Sequence, residues 1–304
     1  MKTNKLLLAA LLAVASCHSG SATTPSQPAA ATAPKHGIVP INGVDYYYEI
    51  HGRGAPVLVL HGGLMSIDSS RQVIDALAKD RSVIAVDLQG HGRTTLGDRP
   101  ITLIDSANDL DVLLDNLGYK QVDVLGYSFG GGIAFRLAVQ HPARVRRLVI
   151  ASAPFASDGF YPEMLPQQAA VGAALAPMLK DTPIYKRYAA VAPHLEDFPK
   201  LLDRLGELMR TPYNYADDVK ALKVPTMLVY GDSDMVTTDH IVEFYKLLGG
   251  GQRDAGWQRE HMATNRLAIL PDLTHYEMFD GPQLANAVRP FLDDKTATPQ
   301  VSKR

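Results

Sequence analysis

The chain has 304 residues, of which 46% are apolar and 20% charged, a balance that suits one large α/β domain with an insertion and does not suit a disordered chain. Thirty basic against 32 acidic residues leave a net charge of −2, which excludes a nucleic-acid binder working by phosphate neutralisation. The apolar runs are too short for a membrane-spanning helix in a mature protein, and the single cysteine excludes internal disulfides and zinc sites built on several thiolates.

In chain order, residues 1–16 read as a signal peptide: Lys2 and Lys5 precede the apolar stretch 6–15, the length of a signal core. The stretch ends Val14-Ala15-Ser16-Cys17, which resembles the bacterial lipobox and implies lipid attachment at Cys17; a secretory cut near Ser21 and Ala22 is the alternative. Such a chain is exported and membrane-anchored by lipid only, in the periplasm or, as His18 after the cysteine implies, at the outer membrane if the cell is Gram-negative. Residues 17–36 carry Ser, Thr, Ala, Pro and Gln and are expected to form a flexible tether.

Beyond it, Val- and Ile-rich runs predict strands at 44–50, 57–61, 83–87, 122–126, 147–152, 226–230 and 267–270. Three- and four-residue apolar spacing predicts helices at 74–79, 103–117, 129–141, 241–248 and 283–293. The alternation implies crossovers and a mostly parallel sheet with helices on both faces. Residues 155–222 break it. They hold seven prolines from Pro162 to Pro212, no convincing strand and, from Phe160 to Tyr215, ten aromatic or Met residues, and they predict a helical cap over a pocket. The core is thus 37–154 plus 223–294, with 295–304 a polar tail. Residues 249–265, with the only tryptophan, Trp257, read as an inserted loop that borders either the pocket or a partner surface.

Gly126-Tyr127-Ser128-Phe129-Gly130 follows a predicted strand and precedes a predicted helix. In that context a G-x-S-x-G turn is tight and strained, and it lifts the serine hydroxyl above the sheet as a nucleophile. Small residues on both sides leave room for it.

With this motif the chain resembles the α/β-hydrolase superfamily from about Val39 to Leu292. Four further segments match in order: Leu60-His61-Gly62-Gly63 at a strand end, Asp87-Leu88-Gln89-Gly90-His91-Gly92-Arg93, Gly231-Asp232-Ser233-Asp234, and Leu270-Pro271-Asp272-Leu273-Thr274-His275. The resemblance implies a Ser128–His275–Asp234 triad, in the chain order typical of the family. His275 follows the last predicted strand on a short loop; His261 is the rival base. Asp232 is the alternative acid. The main-chain N–H groups of Phe129 and Gly63, with Leu64 next, are the implied oxyanion donors. No metal or organic cofactor is implied, and oligomeric state is not readable.

A serine in the turn counts against the haloalkane dehalogenase and epoxide hydrolase branches, which form an ester on an aspartate there. The resemblance implies hydrolysis of a small-molecule carboxylic ester or lactone. Perhydrolase or haloperoxidase activity, carbon–carbon hydrolysis and aminopeptidase activity remain alternatives of the same fold. A non-catalytic tethered binding protein is the alternative of another class.

Overall fold

The computed structural model describes residues 34–294; the expected signal segment, Cys17, most of the tether and the polar tail lie outside the described residues. Eight strands form one sheet among the described residues: β1 (Lys35–Ile41), β2 (Val44–His51), β3 (Ala55–Leu60), β4 (Arg81–Val86), β5 (Val122–Tyr127), β6 (Val145–Ala151), β7 (Thr226–Ser233) and β8 (Arg266–Thr274). Their order is β1-β2-β4-β3-β5-β6-β7-β8, with the β1–β2 and β2–β4 pairings antiparallel and the other five parallel. Helices α1 (Arg71–Leu77), α2 (Leu103–Asn116) and α3 (Phe129–Gln140) lie in the first half of the chain. The segment between β6 and β7 holds α4 (Met164–Ala169), α5 (Ala176–Leu179), α6 (Pro183–Ala189), α7 (Phe198–Arg210) and α8 (Ala216–Ala221). The last two are α9 (Thr238–Leu247) and α10 (Gln283–Asp293).

The near-continuous apolar strands make sense because both faces of the sheet are covered. Leu58, Leu60, Ile84, Val86, Val124, Leu148, Ile150 and Leu228 point into one core with α2, α3 and α9. Their neighbours Val57, Val59, Val83, Ala85, Leu125, Tyr127, Val149 and Val229 point into a second core with α1 and α10. A third apolar cluster joins Leu96 and Ile101 to Ala176, Tyr188, Phe198, Leu201, Leu202 and Leu205, so residues of α5 to α7 rest on the loop between β4 and α2.

Two features depart from the sequence reading. The tether boundary at 36 is too late, because Lys35 and His36 already pair with Ile50 and Glu49 in β1. β1 is largely exposed and has no apolar alternation to read; its place comes from the Asn42-Gly43 turn, where both residues have positive φ (50° and 79°) as a tight hairpin requires. Also, β7 and β8 run further than expected, to Ser233 and Thr274, which pair beyond an irregularity at Gly231. That extension makes Asp234 and His275 leave the sheet side by side.

Candidate active site

Ser128 stands between the end of β5 and the start of α3 with φ 52° and ψ −116°, a conformation that costs a non-glycine residue roughly 1–3 kcal/mol. The surroundings enforce it. Ser128 N–H bonds to Ala151 O of β6 at 2.8 Å, and Gly130 N–H bonds to His61 O at 3.2 Å. A Cβ on Gly130 would fall 2.5 Å from His61 O, and one on Gly126 would run into the Gly130 carbonyl, so only glycines permit this approach. Serine at a helix N-cap ordinarily spends its hydroxyl on a backbone N–H of the first turn. Here it makes no cap bond, and Ser128 Oγ lies 3.0 Å from His275 Nε2 instead.

On the other side of the ring, His275 Nδ1 lies 3.0 Å from Asp234 Oδ1. Asp234 also accepts the Ser152 hydroxyl at 2.5 Å on Oδ2, with longer bonds of 3.4 Å from the Gly231 and Val236 N–H groups. Burial pushes the Asp234 carboxyl up, but the hydrogen bond and charge of His275 and the bond from Ser152 outweigh it and hold the group below the usual carboxylate range. The acid is therefore ionised, and its bond to Nδ1–H leaves Nε2 as the acceptor facing Ser128.

The structure thus brings together Ser128, His275 and Asp234. It separates the alternatives. Asp232 is exposed and accepts the Asp272 N–H at 3.1 Å, a turn role. His261 lies in the 249–265 segment, and Asn265 ties the end of that segment to Thr226 N–H and Leu248 O at the starting ends of β7 and β8. β8 then runs about 25 Å to its far end, where His275 follows. The inserted loop therefore does not border the serine, and its Trp257 is fully exposed.

Gly63 lies against the first turn of α3: a Cβ built on it would sit 3.9 Å from Phe129 Cβ. Phe129, as the first residue of the helix, has no carbonyl one turn back to receive its N–H. Met65 N–H closes a turn onto Gly62 O at 3.3 Å, and Leu64 within it has φ 58°. Two buried histidines support this loop. His61 Nδ1 lies 2.7 Å from Gly62 O and its Nε2 accepts the Leu88 N–H at 3.1 Å, which fixes a neutral ring. His91 bonds to Gln89 O at 2.9 Å and stacks on Phe129 at 5.8 Å. Burial pushes their pKa values down to about 3 and about 4, so neither serves as a base here. Leu64 and Phe129 also pack against the α5–α7 cluster, which makes that cluster the apolar neighbour of the serine.

Among the ten aromatic and Met residues from Phe160 to Tyr215, Tyr188 and Phe198 are buried in that cluster, whereas Met178, Met209 and Tyr161 face solvent. Sequence reasoning missed two contributors to the site, Ser152 and the Tyr127 side chain. Ser152 has no motif signal; its fully buried hydroxyl reaches Asp234 only through the β6–β7 pairing. Among the described residues, no group of three or more His, Cys, Asp or Glu side chains is placed to hold a metal ion, and no helix is long and apolar enough to cross a membrane.

Comparison with known proteins agrees with the fold. A family model described as alpha/beta hydrolase fold matches residues 55–177. The chain is 38% identical over 116 residues to a putative carbamate hydrolase RutD of Azorhizobium caulinodans, covering 38% of this chain and 44% of that protein. It is 40% identical over 113 residues to a soluble epoxide hydrolase of Corynebacterium sp. strain C12, covering 36% and 38%. The chain thus spans less than half the length of these relatives. The enol-lactonase from Burkholderia xenovorans LB400 superposes with a TM-score of 0.63 at 18% identity, over 85% of this chain and all of that one.

Proposed function

We propose that this chain, which has the α/β-hydrolase fold, is a serine hydrolase that cleaves a small carboxylic ester or lactone through an acyl-enzyme on Ser128. The carrying observation is the unbroken line Ser128 Oγ to His275 Nε2 to His275 Nδ1 to Asp234 Oδ1, with 3.0 Å at each hydrogen bond. A serine hydroxyl is a poor nucleophile at neutral pH and needs a base within this reach. The epoxide hydrolase relative does not redirect the reading, because an alkyl-enzyme ester requires a carboxylate where this chain has Ser128.

In the proposed cycle Ser128 attacks the substrate carbonyl as His275 takes its proton. The N–H groups of Phe129 and Gly63 receive the developing oxyanion, and Asp234 holds the imidazolium. His275 then protonates the leaving alcohol, and next takes a proton from water, which attacks the acyl-enzyme; as the acid leaves, His275 returns that proton to Ser128 Oγ. The α5–α7 cluster beside Leu64 and Phe129 offers an apolar surface for the acyl or ring portion. No cofactor enters these steps. Export and lipid anchoring at Cys17 are part of the proposal and rest on the residue pattern of 1–17 alone.

The test is fluorophosphonate labelling of the folded protein, with the adduct mapped by peptide mass spectrometry, followed by a panel of p-nitrophenyl esters and lactones. One adduct on Ser128, lost in Ser128→Ala, and turnover of at least one ester or lactone are expected. A folded protein that takes no label and turns over nothing would move the non-catalytic binding protein to the front. Incorporation of an alkyne fatty acid by the full chain, lost in Cys17→Ser, tests the anchor.

A further inference from the structure

Tyr127 fills the variable position just before the nucleophile, and its side chain points to the opposite sheet face from the α2–α3 core. There its ring stacks on Phe279 at 4.7 Å and lies 5.2 Å from the His275 imidazole. Its hydroxyl donates to the His275 main-chain carbonyl. The same ring covers Gly62: a Cβ built there would meet Tyr127 Cε1 at 2.8 Å and Cδ1 at 3.0 Å. One side chain thus touches the backbone of the base and the loop carrying Gly63, while its own backbone carries Ser128.

What surrounds the base makes this contact matter. β8 is an edge strand, half-exposed along most of its length, and the residues after His275, Tyr276 and Glu277, face solvent. Thr274 is tied to Glu277 at that surface. Tyr127 is 4% exposed, so its bond to His275 O is shielded from water, which competes for the surface ones. Burial raises the phenol well above its ordinary value, so it stays a donor at any working pH.

We propose that Tyr127 is a positioning residue: its hydroxyl fixes the backbone of His275, and so the Ser128–His275 distance, from beneath the site. This rests on the serine-hydrolase reading above and deepens it. Because Tyr127 faces the α10 side while Leu64 and Phe129 face the α5–α7 cluster, its loss acts on proton transfer and leaves substrate binding alone. A base moved by a fraction of an ångström loses alignment with the serine, at a cost of about tenfold or more in rate.

The test compares wild type, Tyr127→Phe and Phe279→Leu by p-nitrophenyl acetate kinetics, fluorophosphonate labelling rate and thermal unfolding. In Tyr127→Phe, kcat and the labelling rate fall together by about tenfold or more while KM stays within about twofold. Phe279→Leu removes a ring contact but keeps the hydroxyl, so its kcat stays within about threefold despite a lower thermal midpoint. A Tyr127→Phe protein with near wild-type kcat overturns the inference. So does one that fails to fold, or a Phe279→Leu protein with the same loss of kcat, since either points to general packing. If folded wild type takes no label on Ser128, the serine-hydrolase reading itself fails; if wild type labels and the variants match it, only the role of Tyr127 does.

Discussion

Replacing Ser152 with alanine removes the shortest hydrogen bond made to Asp234 and leaves the rest of the line to Ser128 in place. The Ser152 hydroxyl is fully buried and donates to Asp234 Oδ2 at 2.5 Å, whereas the remaining backbone donors stand at 3.4 Å. A hydrogen bond to a charged group contributes about 1.5–3 kcal/mol, and a buried carboxylate left short of a donor keeps little of that. Asp234 then holds the imidazolium less well in the transition state. If the full amount is felt there, kcat falls by roughly tenfold to a hundredfold with little change in KM. Ser152 also has φ 54°, strained for any residue with a Cβ, so Ser152→Gly gives a second handle. It should lose the same kcat as Ser152→Ala yet be more stable by about 0.5–1 kcal/mol, net of the greater flexibility of unfolded glycine. Steady-state kinetics on a p-nitrophenyl ester and urea unfolding of both variants decide it. Wild-type kcat in Ser152→Ala, or different losses of kcat in the two variants, would refute the reasoning.

Asp123, the second residue of β5, is fully buried and accepts from Arg81 Nη1 at 2.9 Å and Arg146 Nε at 2.8 Å; Asp123→Asn should cost about 3–5 kcal/mol, seen as a lower urea midpoint, and an unchanged midpoint would show the network idle. His91 is held neutral with a pKa of about 4, against about 6.5 in the unfolded chain, so as pH falls through 6.5 toward 4 the unfolded chain takes up a proton that the folded one refuses. The stability of wild type relative to His91→Gln should therefore shrink by up to about 3 kcal/mol over that window and level off below it; a difference flat with pH counts against the burial argument. Trp257, the only tryptophan and fully exposed at the end of the sheet away from Ser128, should emit as a water-exposed indole, be quenched by iodide in the native state, and tolerate Trp257→Ala without loss of kcat. A native emission shielded from iodide would mean that the 249–265 segment is covered.

The elbow was legible because it is a local backbone problem. Gly126, Ser128 and Gly130 sit within five residues; a Cβ on Gly126 would meet Gly130 O and Ala134 of the helix that the motif opens, and one on Gly130 would meet Leu60 O and His61 O at the end of β3. The interior strands were legible too, since burial on both faces writes itself as continuous Val, Ile and Leu. β1 was not, because an exposed edge strand needs no apolar pattern; the Asn42-Gly43 hairpin signal was present in the sequence and went unused. The length of β8 was hidden for a similar reason, with most of its residues half-exposed and Pro271 and Asp272 resembling a stop. Ser152 and Tyr127 act through distances across strands that no linear spacing records. Their residue types carry no instruction until the sheet order is known.

The order of the sheet explains why these partners converge where they do. Ser128 leaves β5, Ser152 leaves β6, Asp234 leaves β7 and His275 leaves β8, all at the same end of four adjacent parallel strands. Parallel register puts all four at one end of the sheet, and because β5 and β8 lie three strand spacings apart, about 14 Å, the turns after β7 and β8 bring Asp234 to Ser152 and His275 to Ser128. The flanking residues of the elbow then divide its surroundings. Tyr127 faces the α10 side and grips the base and the Gly62 loop from below, while Phe129 turns to the other side and meets the apolar α5–α7 cluster. The cluster beside the serine can thus change in shape without passing through the contacts that hold Ser128, His275 and Asp234 together. On the proposed function, the reacting geometry belongs to the sheet and the choice of substrate to the helices above it.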